Sequence, residues 1–259
     1  MRGVANLLKE KLILNALAFK DANSGIVEQH RLLDWILSKG YRRLEIRREY
    51  MRNPSQEIAL IAESNQKAQL ELHYSVADKL FQDTYIDQSL IQDYMAEAKM
   101  LNAKSITFYL GDYRALSVKD KVFLQGLCNG SLAVLIENDQ SLSGGKADKI
   151  EELLMICHEN NIKLQMTFDI GNWIWTGEDA EKNALKLKPY VSNIHVKDVM
   201  IKDGCFSSTQ LDGGIVDWKY FLKFFNGKNF ILEYPCGMEP FDCIEHAYQL
   251  INEAMIESQ

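Results

Sequence analysis

The sequence predicts an α/β fold, a single (β/α)8 TIM-type barrel spanning residues 1–259, and three observations lead there. Short apolar runs of β-type composition alternate with segments of helical spacing along the whole chain. Four of those runs close on a polar residue, Glu137, Asp169, His195 and Glu233, at intervals of 32, 26 and 38 residues, which is the rhythm of a parallel βα repeat. A length of 259 residues suits one such barrel. Two average domains would need a linker, and the richest Gly/Ser stretch, Ser141 to Gly145, is only a short strand-to-helix connection.

Strand candidates fall at about 12–16, 43–47, 69–74, 105–110, 132–137, 162–169, 191–196 and 229–234, which is the barrel count. After the second, Asn53, Pro54 and Gln56 read as an N-cap, a first-turn proline and a capping-box partner, opening a helix through Ala62. Leu90, Ile91, Tyr94, Met95 and Ala98 mark the helix after strand three. A shorter one, near Val118 to Leu127, runs out at Cys128, Asn129 and Gly130. Ile150, Leu153, Leu154 and Cys157 repeat at i, i+3, i+4 and i+7; so do Trp218, Phe221, Leu222 and Phe225, stopped by Gly227. Ile244, Tyr248, Ile251 and Met255 mark the last helix.

Strand parity supports the barrel independently, because alternate residues face the helices and the barrel axis. Leu44 and Ile46 oppose Glu45, and Leu70, Leu72 and Tyr74 oppose Glu71, His73 and Ser75. The polar parity continues through Thr107, Tyr109, Glu137, Thr167, Asp169, Asn193, His195 and Glu233. A purely structural barrel fills its axis with branched apolar side chains, so this parity predicts a polar mouth.

Composition narrows the function classes. Five cysteines, Cys128, Cys157, Cys205, Cys236 and Cys243, are odd in number and form no CxxC pair, which argues against a disulfide framework or thiolate zinc and for a reducing cytoplasm. The longest apolar runs fall far short of a membrane span, and Met1 to Leu14 has no small-residue cleavage signature, so a soluble, unprocessed protein is expected. A net charge of −7 disfavours polyanions such as nucleic acid and leaves small, neutral or metal-chelating molecules as the expected partners. Nothing in the chain fixes its oligomeric state, and a homo-oligomer is compatible with it.

In a βα barrel all strand C-termini open on one face, so Glu137, Asp169, His195 and Glu233 should converge there. Carboxylates crowded together need a compensating cation. Three carboxylates and one imidazole suit one divalent ion, with Mn²⁺ favoured and Mg²⁺, Co²⁺ or Zn²⁺ also accommodated. His30, His158 and His246 lie on helical patterns and read as surface or packing residues, whereas Phe19, Tyr74, Tyr113, Trp173 and Trp175, at or past strand ends, are expected to wall a pocket.

Ile136-Glu137-Asn138, Phe168-Asp169-Ile170-Gly171-Asn172, Ile194-His195-Val196-Lys197-Asp198 and Leu232-Glu233-Tyr234-Pro235, with Leu211 to Trp218 before the last strand, resemble the signatures of the sugar phosphate isomerase/epimerase family, the xylose isomerase-like TIM barrels. The resemblance covers essentially the whole chain and rests on the order and spacing of these motifs together. It implies that Glu137, Asp169, His195 and Glu233 bind one divalent metal and that Glu137 and Glu233 also serve as acid and base, exchanging a carbon-bound proton through an enediolate. Two departures matter. Asn172 stands where many relatives carry a second histidine, and Val199 to Ile201 replace an arginine that some epimerases use. Substrate contacts are therefore expected to differ, with Glu45, His73, Asn172, Lys197 and Trp173 as the candidates.

The resulting expectation is a metal-dependent sugar, or sugar-derived keto-acid, isomerase or epimerase. Alternatives are an inosose-type dehydratase on the same scaffold, a non-catalytic sugar-binding protein and an endonuclease IV-like nuclease. The last needs a histidine-rich, multi-zinc mouth, whereas only His73 and His195 lie near strand ends. No Gly-rich phosphate loop of recognised spacing occurs, which favours an unphosphorylated sugar or polyol.

Overall fold

The computed structural model describes residues 9, 11–20 and 27–256, and its centre is a closed parallel barrel of eight strands. These are β1 (Ile13–Asn15), β2 (Arg43–Arg47), β3 (Glu71–Phe81), β4 (Ser105–Gly111), β5 (Ala133–Glu137), β6 (Gln165–Asp169), β7 (Val191–Val196) and β10 (Asn229–Leu232). Around it run α1 (Gln29–Ser38), α2 (Pro54–Ala68), α3 (Gln88–Met100), α4 (Val118–Cys128), α5 (Ala147–Glu159), the one-turn α6 (Trp173–Thr176), α7 (Ala180–Leu187), α8 (Trp218–Phe224) and α9 (Pro240–Ile256). Among the described residues no helix is long and apolar enough to cross a membrane.

Alternation along the strands divides the interior. Leu44, Ile46, Leu72, Phe108, Ile136, Phe168, Ile194 and Leu232 join the apolar layer between barrel and helices. The opposite parity carries Asn15, Glu45, His73, Thr107, Glu137, Thr167, Asp169, Asn193 and His195, all buried. Register then sets their heights: Asp169 pairs with His195, Glu137 with Thr167, Tyr109 with Glu137, and Asn15 with Glu45. Because the barrel is closed, a slip in any one strand would move its whole polar set to the helix-facing side.

Several local expectations need correcting. β3 runs to Phe81 rather than residue 74, its pairing with β4 broken by an irregularity between Val76 and Lys79, and β6 starts at Gln165 rather than 162. α2 continues to Ala68, and its N-terminus uses no side-chain cap from Asn53. Instead of Gln56, Glu57 reaches back, its Oε1 accepting from Arg52 N–H at 2.7 Å and Asn53 N–H at 3.1 Å. One residue further along places the carboxylate over both free amides, which it satisfies with a full negative charge at the helix N-terminus.

An antiparallel hairpin, β8 (Asp198–Lys202) with β9 (Cys205–Thr209), interrupts the βα repeat after β7. The sequence reading missed it, because strand-type residues there follow β7 with no helical segment between. Asp198, itself buried, ties it down: its Oδ1 accepts from Val199 N–H at 2.7 Å and Val216 N–H at 2.9 Å, and its Oδ2 from Gly214 N–H at 2.8 Å. A Cβ at position 214 would collide with the Val199 carbonyl, so the glycine permits this approach.

Asp198→Ala leaves three backbone donors without their acceptor and should lower the unfolding free energy by about 2 to 3 kcal/mol in urea titration, the scale of unsatisfied polar groups. A loss under about 0.5 kcal/mol would mean that the aspartate does not anchor the hairpin.

Candidate metal centre and cavity

Glu137, Asp169, His195 and Glu233, from the ends of β5, β6, β7 and the residue after β10, are all buried, and each offers a ligand atom within 4.8 Å of the others. Every one is fixed by partners that leave a donor atom pointing inward. Asn138 clamps the Asp169 backbone, accepting from its N–H and donating to its carbonyl, both at 2.9 Å. Asp169 Oδ1 accepts from Gly171 N–H at 2.8 Å and Asn172 N–H at 3.0 Å. Its Oδ2 is buried without a hydrogen bond of ordinary geometry and has the Lys197 ammonium 2.5 Å away as an ion-pair partner.

His195 is held from behind. Its Nε2 lies 2.9 Å from Glu45 Oε2, Asn15 Nδ2 donates to the same carboxylate oxygen at 2.5 Å, and Asn15 Oδ1 accepts from Leu17 N–H at 2.8 Å. Burial opposes the Glu45 charge, but His195 and Arg47 outweigh it and lower the Glu45 pKa, so Glu45 is an ionised acceptor. An acceptor there places a proton on Nε2 and turns Nδ1 toward the cluster. Nδ1 is buried with no hydrogen-bond partner, 3.2 Å from Glu137 Oε1, 3.5 Å from Glu233 Oε2 and 3.9 Å from Asp169 Oδ2.

The electrostatics are uneven across the site. Burial raises the pKa of Glu137, and His195 only partly offsets it; burial likewise pushes Asp169 up to about 7 against the pull of Lys197. Glu233 behaves oppositely. Burial is outweighed by the charges of His195, Lys197 and Arg47, which hold it well below the usual carboxylate range. Arg47 Nη1 bonds Glu233 Oε1, and Lys197 Nζ donates to Oε2 at 2.9 Å.

The donor set fits a divalent cation. Two buried ligand atoms, Asp169 Oδ2 and His195 Nδ1, lack hydrogen bonds and face two further carboxylates, while the opposite nitrogen of the imidazole is committed to a carboxylate. No thiol is nearby among the described residues of the cluster, so oxygen-preferring ions suit it.

A cavity of about 370 Å³ opens over the cluster, lined by Glu137 and Glu233 together with Asn172, Lys197, Arg47, Tyr109 and, from the hairpin, Ser208. Of the expected substrate contacts, Asn172 and Lys197 therefore reach it. Glu45 does not: it stands behind His195. His73 sits lower in the barrel, 2.8 Å from Ser105 Oγ and 3.1 Å from Glu71 Oε1, because it begins a strand that extends far beyond it. Trp173 is fully buried against Phe168, since α6 turns its ring toward the helices. Neither lines the cavity, nor do Phe19, Tyr74, Tyr113 or Trp175. Tyr74 has the helix-facing parity and donates to Glu97, and Phe19 packs on Phe241. Sequence reasoning passed over Arg47, although it shares the inward parity of Glu45.

Glu45→Ala should weaken binding of Mn²⁺ by about 10- to 100-fold in calorimetric titration, the usual scale for losing the partner that orients a ligating histidine. Affinity within about threefold of wild type would show that Glu45 does not orient His195.

No protein-family model matches the sequence, and no curated protein matches it. Solved structures do match by shape. The probable 3-DHS dehydratase AsbF involved in petrobactin synthesis from Bacillus anthracis superposes with a TM-score of 0.68 at 14% identity, covering 93% of this chain and 98% of that one. The 3-keto-D-glucoside 4-epimerase YcjR from E. coli gives 0.62 at 13% identity over 95% and 100% of the two chains, and an IOLI protein with a bound zinc atom gives 0.59 at 16% identity over 96% and 97%. The chain thus shares the (β/α)8-barrel fold of these solved structures, which include a sugar epimerase and a probable dehydratase.

Proposed function

We propose that the chain is a divalent-metal-dependent isomerase or epimerase acting on a sugar or sugar-derived keto-acid, with Mn²⁺ as the favoured ion. The observation that carries this reading is the inward-facing set of Asp169 Oδ2, His195 Nδ1, Glu137 and Glu233, of which the two glutamates line the cavity. When bound there, a divalent ion would polarise a carbonyl and an adjacent hydroxyl, easing removal of a carbon-bound proton. Glu137 carries and returns a proton beside the reacting carbon. Glu233, kept ionised by Arg47 and Lys197, takes the proton on the other face, and charge on the enediolate oxygens is balanced by those same cations. Asn172 Nδ2 lies 3.4 Å from Glu137 Oε1 and orients it.

One observation favours a second reading, a dehydratase. Both oxygens of Glu233 are occupied by cations, so proton handling falls mainly to Glu137, and a lyase can work from one side. The likeness to a probable dehydratase agrees with that arrangement. We place the chain in a reducing cytoplasm, because five cysteines without a CxxC pair suit no disulfide framework.

In deuterated water, the Mn²⁺-loaded protein should place deuterium at the carbon next to the carbonyl of its substrate, and removing the ion should abolish this. Glu137→Gln should keep the ion yet slow turnover by about a hundredfold or more, the scale of general acid–base catalysis. A product of unchanged mass supports epimerisation or isomerisation, and loss of water supports the lyase. Wild-type turnover by Glu137→Gln would remove the glutamate from the chemistry.

A further inference from the structure

We infer that the carbohydrate taken by this cavity carries a carboxylate, recognised by Arg47 and Lys197; this rests on the proposed sugar-transforming site and adds the class of its substrate. Both cations line the cavity although they are only 7% and 4% exposed, and cations so placed need anionic partners. Arg47 is built in rather than draped over the mouth. Gln29 of α1 donates to the Arg47 carbonyl at 2.7 Å and accepts from its N–H at 2.8 Å, fixing the end of β2.

Neither cation is exhausted by its protein partners. Arg47 uses Nε on Glu49 and Nη1 on Glu233, and no described residue hydrogen-bonds its Nη2. Lys197 contacts Asp169 and Glu233 with an ammonium that has three donors. Charge points the same way. Glu137 and Glu233 line the cavity with Asp169 beside them in the cluster, and a divalent ion bound there would take up carboxylate charge that Arg47 and Lys197 otherwise face, leaving their remaining donors for a ligand.

A neutral sugar would offer these donors hydroxyls alone, whereas a carboxylate makes charge-assisted bonds of about twice the strength and matches the planar guanidinium. A phosphate monoester, close to a dianion at neutral pH, would bring a second negative charge up against Glu137 and Glu233.

Two compounds isolate the difference: 2-keto-D-gluconate has a carboxylate where D-fructose has its carbon-1 hydroxymethyl, and D-fructose 6-phosphate supplies the phosphate arm. Calorimetric titration of the full-length, Mg²⁺-loaded protein should show 2-keto-D-gluconate binding about tenfold or more tighter than both of the others. With metal loading confirmed for each variant, Arg47→Gln and Lys197→Gln should each weaken 2-keto-D-gluconate at least about fivefold more than they weaken D-fructose, erasing most of that preference. D-Fructose or its phosphate binding as tightly as the keto-acid to wild type overturns the inference, as do variants that weaken all three ligands equally. The wild-type comparison stands even where a variant does not fold. Continued metal-dependent deuterium exchange into D-fructose without any carboxylate preference would leave the proposed function intact and remove only this inference.

Discussion

Everything in this barrel is arranged around the cost of burying three carboxylates and an imidazole within 4.8 Å of one another. In a low-dielectric interior such a group folds only if cations and fixed dipoles compensate it. Lys197 and Arg47 supply the charges, both converging on Glu233. Asn138, the amides of Gly171 and Asn172, and the Glu45–Asn15 pair supply the fixed dipoles and acceptors. Lys197 reaches the inward oxygens Asp169 Oδ2 and Glu233 Oε2, while the other partners hold atoms that face away from the centre. His195 Nδ1, without a hydrogen bond, and Asp169 Oδ2, met only by the Lys197 ammonium, face it.

The fold makes that arrangement rigid. Leu44, Phe108, Ile136, Phe168 and Leu232 lock the strands to the helices from outside, so the inward set cannot relax by turning away. Closure of the barrel makes register collective, and the pairing of Asp169 with His195 brings two of the cluster residues side by side. Above the mouth, Asp198 binds the hairpin to the segment before α8, and through Ser208 that hairpin completes the cavity wall.

Much of this was legible in the sequence, for identifiable reasons. Period-two alternation ending on polar residues is a strong signal, so the eight strands and the convergence of Glu137, Asp169, His195 and Glu233 could be read directly. Depth along a strand could not. His73 has the right parity but enters β3 near its start, and Glu45 has the right parity but spends its carboxylate on His195. Arg47 shares that parity at the end of β2; a long cation there reads as a solvated terminus unless its partner on a distant strand, Glu233, is known. The hairpin was hidden because β8 follows β7 after a single residue, leaving no punctuation to mark a new element. Aromatic residues past strand ends misled for a related reason: Trp173 and Phe19 fill gaps between helices, a role that composition does not distinguish from lining a pocket.

The central claim is that one divalent ion is held by these four side chains. Crystals grown with Mn²⁺ and measured at a wavelength where manganese scatters anomalously test it directly. The account predicts a single strong anomalous peak within about 2.0 to 2.4 Å of oxygen atoms of Glu137, Asp169 and Glu233 and of His195 Nδ1, ordinary lengths for such ligands. Saturating Mn²⁺ with no peak at that position, or with Lys197 still bridging Asp169 and Glu233 in its place, would contradict it.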